Sequence, residues 1–184
     1  MIFDRRTYLK QLLDGSRNDM VKIVTGIRRC GKSFLLFNLF RTYLLEHGTD
    51  ERHIICLSLD DRKNRHLLDP DVLLDYIDEL NPDDGQTTYV ILDEVQLVDD
   101  FVGVMLSLMH MRNVQAYVSG SNSRFLSTDV VTEFRGRGWE IRVHPLSFAE
   151  VYEAKGGDKS QLLMEYYRYG GLPQVVLMES FGGL

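Results

Sequence analysis

The stretch from Val21 to Leu36 constrains the chain more than any other: Val-Lys-Ile-Val-Thr-Gly-Ile-Arg-Arg-Cys-Gly-Lys-Ser-Phe-Leu-Leu. Its short apolar run, Ile23 to Thr25, predicts a buried strand, and an apolar helical pattern begins at Phe34. Between them lies Gly26-x-x-x-x-Gly31-Lys32-Ser33, the phosphate-loop pattern in the strand–loop–helix setting that gives it structural meaning. Glycines let such a loop curl until its backbone N–H groups converge, and the helix start adds partial positive charge. The whole run from Gly26 through Ile27, Arg28, Arg29, Cys30, Gly31, Lys32 and Ser33 to Phe34 is therefore the candidate cradle for a polyanion. Lys32 is placed to reach terminal phosphates, and the Ser33 hydroxyl to ligate Mg²⁺.

The rest of the chain alternates strand and helix patterns. Tyr8, Leu9, Leu12 and Leu13 share helical spacing ahead of Asp14-Gly15-Ser16. After the loop, Phe34 to Leu45 is apolar nearly all round, which predicts a fully buried helix. His53 to Asp60 reads as a second strand and Asp60 to His66 as a solvated loop. Pro70 opens a helix carrying Val72, Leu73, Tyr76, Ile77 and Leu80, and Asn81 to Gly85 turns the chain. Tyr89 to Glu94 is a buried strand ending in two carboxylates. A helix capped by Asp99 or Asp100 follows, then a strand over Val114 to Ser119. A helical stretch near Thr128 to Phe134, a last strand from Trp139 to His144, and helices over Ser147–Ala154 and Gln161–Tyr169 complete the reading. This order predicts an α/β three-layer sandwich with a mainly parallel, five-stranded sheet and the start of a C-terminal helical region. Residues 1–145 are expected to form the core and 146–184 the helical region.

Composition excludes several classes. With 44% hydrophobic and 26% charged residues the chain is of ordinary globular type, and no run approaches the ~18 apolar residues of a membrane span. Asp4-Arg5-Arg6-Thr7 is no signal peptide, and the two cysteines, Cys30 and Cys56, form no metal or redox spacing, so the expected location is the cytoplasm. A net charge of −6 provides no overall footprint for nucleic acid.

Ligands of parallel sheets bind beyond the carboxyl ends of the strands, where the phosphate loop, Asp93-Glu94 and Ser119-Gly-Ser-Asn122 all fall. Asp93 is the candidate Mg²⁺ carboxylate, acting mostly through water, and Glu94 the group that polarises an attacking water. Ser119, Ser121 and Asn122 are equally placed to sense the terminal phosphate, and equally consistent with plain turn chemistry. Arg135 and Arg137 flank Gly136. Arg137 is the better candidate for neutralising charge on a transferring phosphoryl group, from this chain or a neighbour. Arg28 and Arg29 add positive potential to the loop or face solvent. Cys30, near Lys32 and a helix start, meets conditions that lower a thiol pKa, although a filler role suits it better.

Six segments, in order, carry a more specific likeness: Gly26 to Leu36, Leu92-Asp-Glu-Val-Gln96, Ser119-Gly-Ser-Asn-Ser123, Gly136-Arg137, His144-Pro-Leu-Ser-Phe-Ala-Glu150 and Tyr169-Gly-Gly-Leu-Pro173. Over Met1 to about Val176 the chain resembles the AAA-type P-loop ATPases of bacteria and archaea that are often fused to a C-terminal domain of unknown function. The resemblance implies a sensor strand between the Walker A and Walker B strands, with Lys32 and Ser33 in Walker A and Asp93 and Glu94 in Walker B. It further implies Asn122 or a neighbouring serine as sensor, and Arg137 as a finger-like arginine. It also implies a longer natural protein, of which Ser180 to Leu184 would be an internal stretch.

The expected activity is Mg²⁺-dependent ATP hydrolysis that moves attached domains or partners. The alternative is a nucleotide-binding switch without turnover, or a module associated with DNA transactions. No Asn-Lys-x-Asp guanine-reading sequence occurs, which favours ATP over GTP. A homo-oligomer or a partner protein is the expected context.

Overall fold

The structure, a computed structural model, describes residues 3–121 and 136–178. The expected helix near 128–134, together with Asn122, Ser123 and Arg135, lies outside the described residues. The elements are α1 (Arg6–Gly15), β1 (Val21–Thr25), a composite helix, β2 (Ile54–Ser58), α4 (Pro70–Leu80), β3 (Thr88–Asp93), α5 (Phe101–His110), β4 (Val114–Ser119), β5 (Gly138–Arg142), α6 (Phe148–Lys155), α7 (Lys159–Tyr169) and α8 (Pro173–Leu177). Within the composite helix, α2 (Lys32–Phe34) widens into a π-helical stretch (Leu35–Phe40) and resumes as α3 (Arg41–Glu46). The five strands form one sheet in the order β2-β3-β4-β1-β5, with every pairing parallel. β4 thus separates the strand before the phosphate loop from the strand that ends in Asp93, as the resemblance implies.

Strand alternation builds two cores on opposite faces of this sheet. Val21 and Ile23, Val90 and Leu92, Ala116 and Val118 face α4 and α5, where they meet Leu73, Ile77, Phe101, Val104, Met105 and Leu108. Val24, Ile91 and Tyr117 face the other way, onto Leu12 of α1 and Leu35, Leu36, Phe40 and Leu44 of the composite helix. Asp69 caps the helix that Pro70 opens, accepting from Asp71 and Val72 N–H, and of the two expected caps for α5 it is Asp100 that accepts, from Gly103 N–H.

Two expectations need correction. The helix after the loop is not buried all round: Leu35, Leu36, Phe40 and Leu44 are buried, whereas Phe34 is exposed and Phe37, Leu39 and Tyr43 are half-buried. Its covering layer, α1, touches only part of the circumference, and the wide π turn, in which Arg41 N–H reaches back to Leu36 O, sets which side faces the sheet. The charged segment after β2 is not an open loop but a 3₁₀ helix, Arg62–Leu68, started by Asp61 and anchored by the buried Leu67.

Lys22 is the unexpected member of the sheet. It lies fully buried on β1, its Nζ donating to Asn18 O at 2.8 Å and to Gln115 Oε1, with the Tyr117 ring 5.5 Å away. Burial pushes the ammonium from 10.5 down to about 8. Between pH 8 and 9 the folded chain therefore releases a proton that the unfolded chain keeps, and stability contributed by this group rises with pH. Burial also holds the Cys30 and Cys56 thiols above their ordinary range, which acts in the opposite sense but is shared with a Lys22→Met variant. In urea unfolding, the stability of the wild type relative to Lys22→Met should increase by about 1 kcal/mol from pH 8 to pH 9. A constant difference would show that Lys22 keeps its proton when folded.

Candidate functional site

The loop after β1 is shaped by left-handed backbone at three positions, Gly26 (φ 146°), Arg29 (φ 67°) and Gly31 (φ 100°). At Gly26 there is no room for a side chain, because a Cβ there would overlap the Val143 carbonyl oxygen and approach Cys30 Sγ to 2.9 Å. Ile27, Arg28 and Arg29 project to solvent, Cys30 turns inward and is fully buried, and Ser33 and Phe34 are exposed at the helix start. Lys32 is 5% exposed. Its ammonium bonds to carbonyls of its own loop, Gly26 O at 3.1 Å and Ile27 O at 3.2 Å.

Cys30 has the filler role that suits it better than a reactive one. Burial raises its thiol pKa, and this outweighs the nearby positive charges of Lys32 and Arg5. The thiol is inert filling beneath the loop.

The two carboxylates occupy the adjacent strand ends. Asp93, 4% exposed, accepts at Oδ1 from the Ser119 hydroxyl across the β3–β4 pair. Glu94 stands in left-handed backbone (φ 57°, ψ 43°) at the start of the 3₁₀ turn Val95–Leu97. Its carboxylate accepts from Ser121 Oγ at 3.0 and 2.9 Å and from Gln96 Nε2, and its own N–H faces Ser119 Oγ at 3.4 Å. Ser119 and Ser121 are therefore bound to the two carboxylates. Among the described residues no three His, Cys, Asp or Glu side chains cluster as a metal cage. The Ser33 hydroxyl and the Asp93 carboxylate are hard oxygen donors of the kind Mg²⁺ takes alongside water and phosphate oxygens, so this donor set fits that ion.

Arg137 is elsewhere. Its carbonyl accepts from Val21 N–H at the amino end of β1, whereas the loop follows Thr25 at the carboxyl end, about 13 Å of strand away. Its side chain is exposed. This geometry does not bring Arg137 to the phosphate loop of its own chain.

Sequence reasoning missed Arg5. It is 5% exposed, with Nη2 donating to His144 O and Nη1 3.6 Å from Glu150 Oε1. Its guanidinium lies 4.6 Å over the Tyr8 ring, and Tyr8 Oη accepts from His144 N–H at 3.1 Å. Glu150 in turn completes a capping box with Ser147 at the start of α6. The Pro-Leu-Ser-Phe and Gly-Gly-Leu-Pro segments also meet here. Leu146 N–H donates to Gly171 O at 2.7 Å, Tyr166 Oη donates to Leu146 O at 2.8 Å, and the Phe148 and Tyr166 rings lie 5.7 Å apart. A Cβ on Gly31 would lie only 3.7 Å from Pro173 Cγ, so these helices border the phosphate loop.

A parallel five-stranded sheet with this loop at its carboxyl edge defines a P-loop nucleotide-binding fold. The chain belongs to the AAA-domain family of P-loop ATPases, whose model matches residues 18–152. It is 32% identical over 183 residues to an uncharacterised protein of Haemophilus influenzae, covering 97% of this chain and 46% of that protein. It is 26% identical over 174 residues to an uncharacterised protein of Methanocaldococcus jannaschii, covering 86% and 37%. The chain thus spans less than half the length of both relatives. Among solved structures it resembles a Walker-type ATPase of Pyrococcus abyssi (TM-score 0.58, 19% identity, 96% of this chain and 66% of that one). AMPPCP-bound DnaA of Aquifex aeolicus is similar as well (TM-score 0.57, 14% identity, 95% and 58%). At these identities the likeness is one of fold. No helix among the described residues is long and apolar enough to cross a membrane.

Proposed function

We propose that the chain binds ATP with Mg²⁺ and hydrolyses it to move attached domains or partners. The observation that carries this is the meeting, at one sheet edge, of the phosphate loop, the Asp93–Glu94 pair and the serines that hold those carboxylates. In this reading Gly26–Phe34 cradles the phosphates and Lys32 neutralises them. Ser33 and Asp93 would hold Mg²⁺, which when bound would supply charge neutralisation for the phosphates. Glu94 polarises the attacking water, Asn122 senses the terminal phosphate, and the helices beyond residue 146 transmit the change. ATP is favoured over GTP by the missing guanine-reading motif, and the AMPPCP bound to the related DnaA fold is consistent with that choice. The test is a pair of variants: Glu94→Gln should keep ATP binding and lose turnover, and Lys32→Ala should lose binding.

Arg137 then acts on the nucleotide of a neighbouring copy, since it is exposed and remote from its own loop. Arg137→Ala and Lys32→Ala should each be inactive alone, and mixing them should restore part of the ATPase rate by pairing an intact loop with an intact arginine. An Arg137→Ala protein with wild-type turnover would remove this role.

A further inference from the structure

Within Leu92-Asp-Glu-Val-Gln96, one polar residue has no part in the reading above. Gln96 sits on the 3₁₀ turn that begins directly after Glu94, and it is only 6% exposed. Its Nε2 donates to Glu94 Oε2, while its Oε1 is buried without a hydrogen-bond partner among the described residues. The reversed amide would set a carbonyl oxygen against the carboxylate, so the N–H must face inward. Ser121 grips both carboxylate oxygens from the end of β4. Glu94 is thus pinned from two elements, on a left-handed backbone that only a constraining turn holds for a residue with a Cβ. Packing alone does not explain a glutamine: methionine would fill the same space without burying an unpaired carbonyl.

We propose that Gln96 is a positioning residue for hydrolysis, holding the Glu94 carboxylate in the orientation from which it polarises water. This rests on the assignment of Glu94 as the water-polarising group.

The test is a double-mutant cycle on steady-state ATP hydrolysis with Gln96→Met, Glu94→Gln and the combination. Gln96→Met should lower kcat about tenfold and change KM less than about twofold. The combined variant should be no slower than Glu94→Gln alone, because Gln96 acts only through Glu94. Gln96→Glu, equal in size but setting like charge beside Glu94, should lose more than Gln96→Met. A thermal shift with a non-hydrolysable ATP analogue confirms folding and binding without turnover, and if Gln96→Met fails that check, Gln96→Glu takes its place in the cycle. An unchanged or increased kcat, an effect confined to KM, or full additivity in the cycle overturns the proposal. If Glu94→Gln turns over like the wild type, the parent reading falls and takes this one with it. An inactive Glu94→Gln beside an unaffected Gln96→Met sinks this inference alone.

Discussion

Glu94→Gln is expected to bind ATP as the wild type does and to hydrolyse it about 10²- to 10⁴-fold more slowly, the range of a lost general base. The substitution removes proton affinity while keeping size, and the buried part of the cradle does not include this side chain. Lys32→Ala is the complementary variant. Its ammonium is the one charge of the phosphate loop that is buried rather than projected to solvent. Without it, ATP should no longer raise the thermal unfolding midpoint. Read together, the two separate the step of binding from the step of turnover. A chain that bound ATP tightly but never turned it over, in wild type and Glu94→Gln alike, would be a switch and not a hydrolase.

Gly26→Ala should cost on the order of 3–5 kcal/mol of stability, with loss of nucleotide binding, because two penalties coincide. The backbone is left-handed at φ 146°, and the added methyl would run into the Val143 carbonyl at the end of β5. That carbonyl cannot yield easily, since the Val143 N–H is fixed to Thr25 O at 2.8 Å. Gly85→Ala is a positive-φ reference without crowding: its φ is 77°, with nothing within 4 Å of the added Cβ. It should cost about 1–2 kcal/mol. Chemical denaturation of both variants checks the difference. Equal losses would show that crowding at the loop is relieved by a small shift.

The sheet, its order of elements and the phosphate loop were legible in the sequence because each rests on local pattern. Unbroken apolar runs such as Val90 to Leu92 and Ala116 to Val118 specify two-sided burial, and Gly26 to Ser33 specifies the loop. What escaped depends on distant parts of the chain coming together. Arg5 stands in sequence between the charged Asp4 and Arg6, and only the return of His144 and Glu150 buries it. The thiol pKa of Cys30 answers chiefly to burial, ahead of the Lys32 charge two residues along the chain. For Arg137 the sequence leaves its own loop and a neighbour's equally open, and it is strand register, a property of the folded sheet, that sets its backbone at the edge away from its own loop. The π stretch at Leu35–Phe40 has no signal in an apolar pattern that fits an α-helix equally well.

The contacts of Lys32 have an energetic corollary. Its ammonium already has two carbonyl acceptors, so a ligand entering the loop must compete for it. Binding is then an exchange of partners in which old hydrogen bonds break as new ones form. The measured affinity is the difference between two well-bonded states, not the sum of every new contact. An anion too small to engage the backbone N–H groups as well gains little from that exchange.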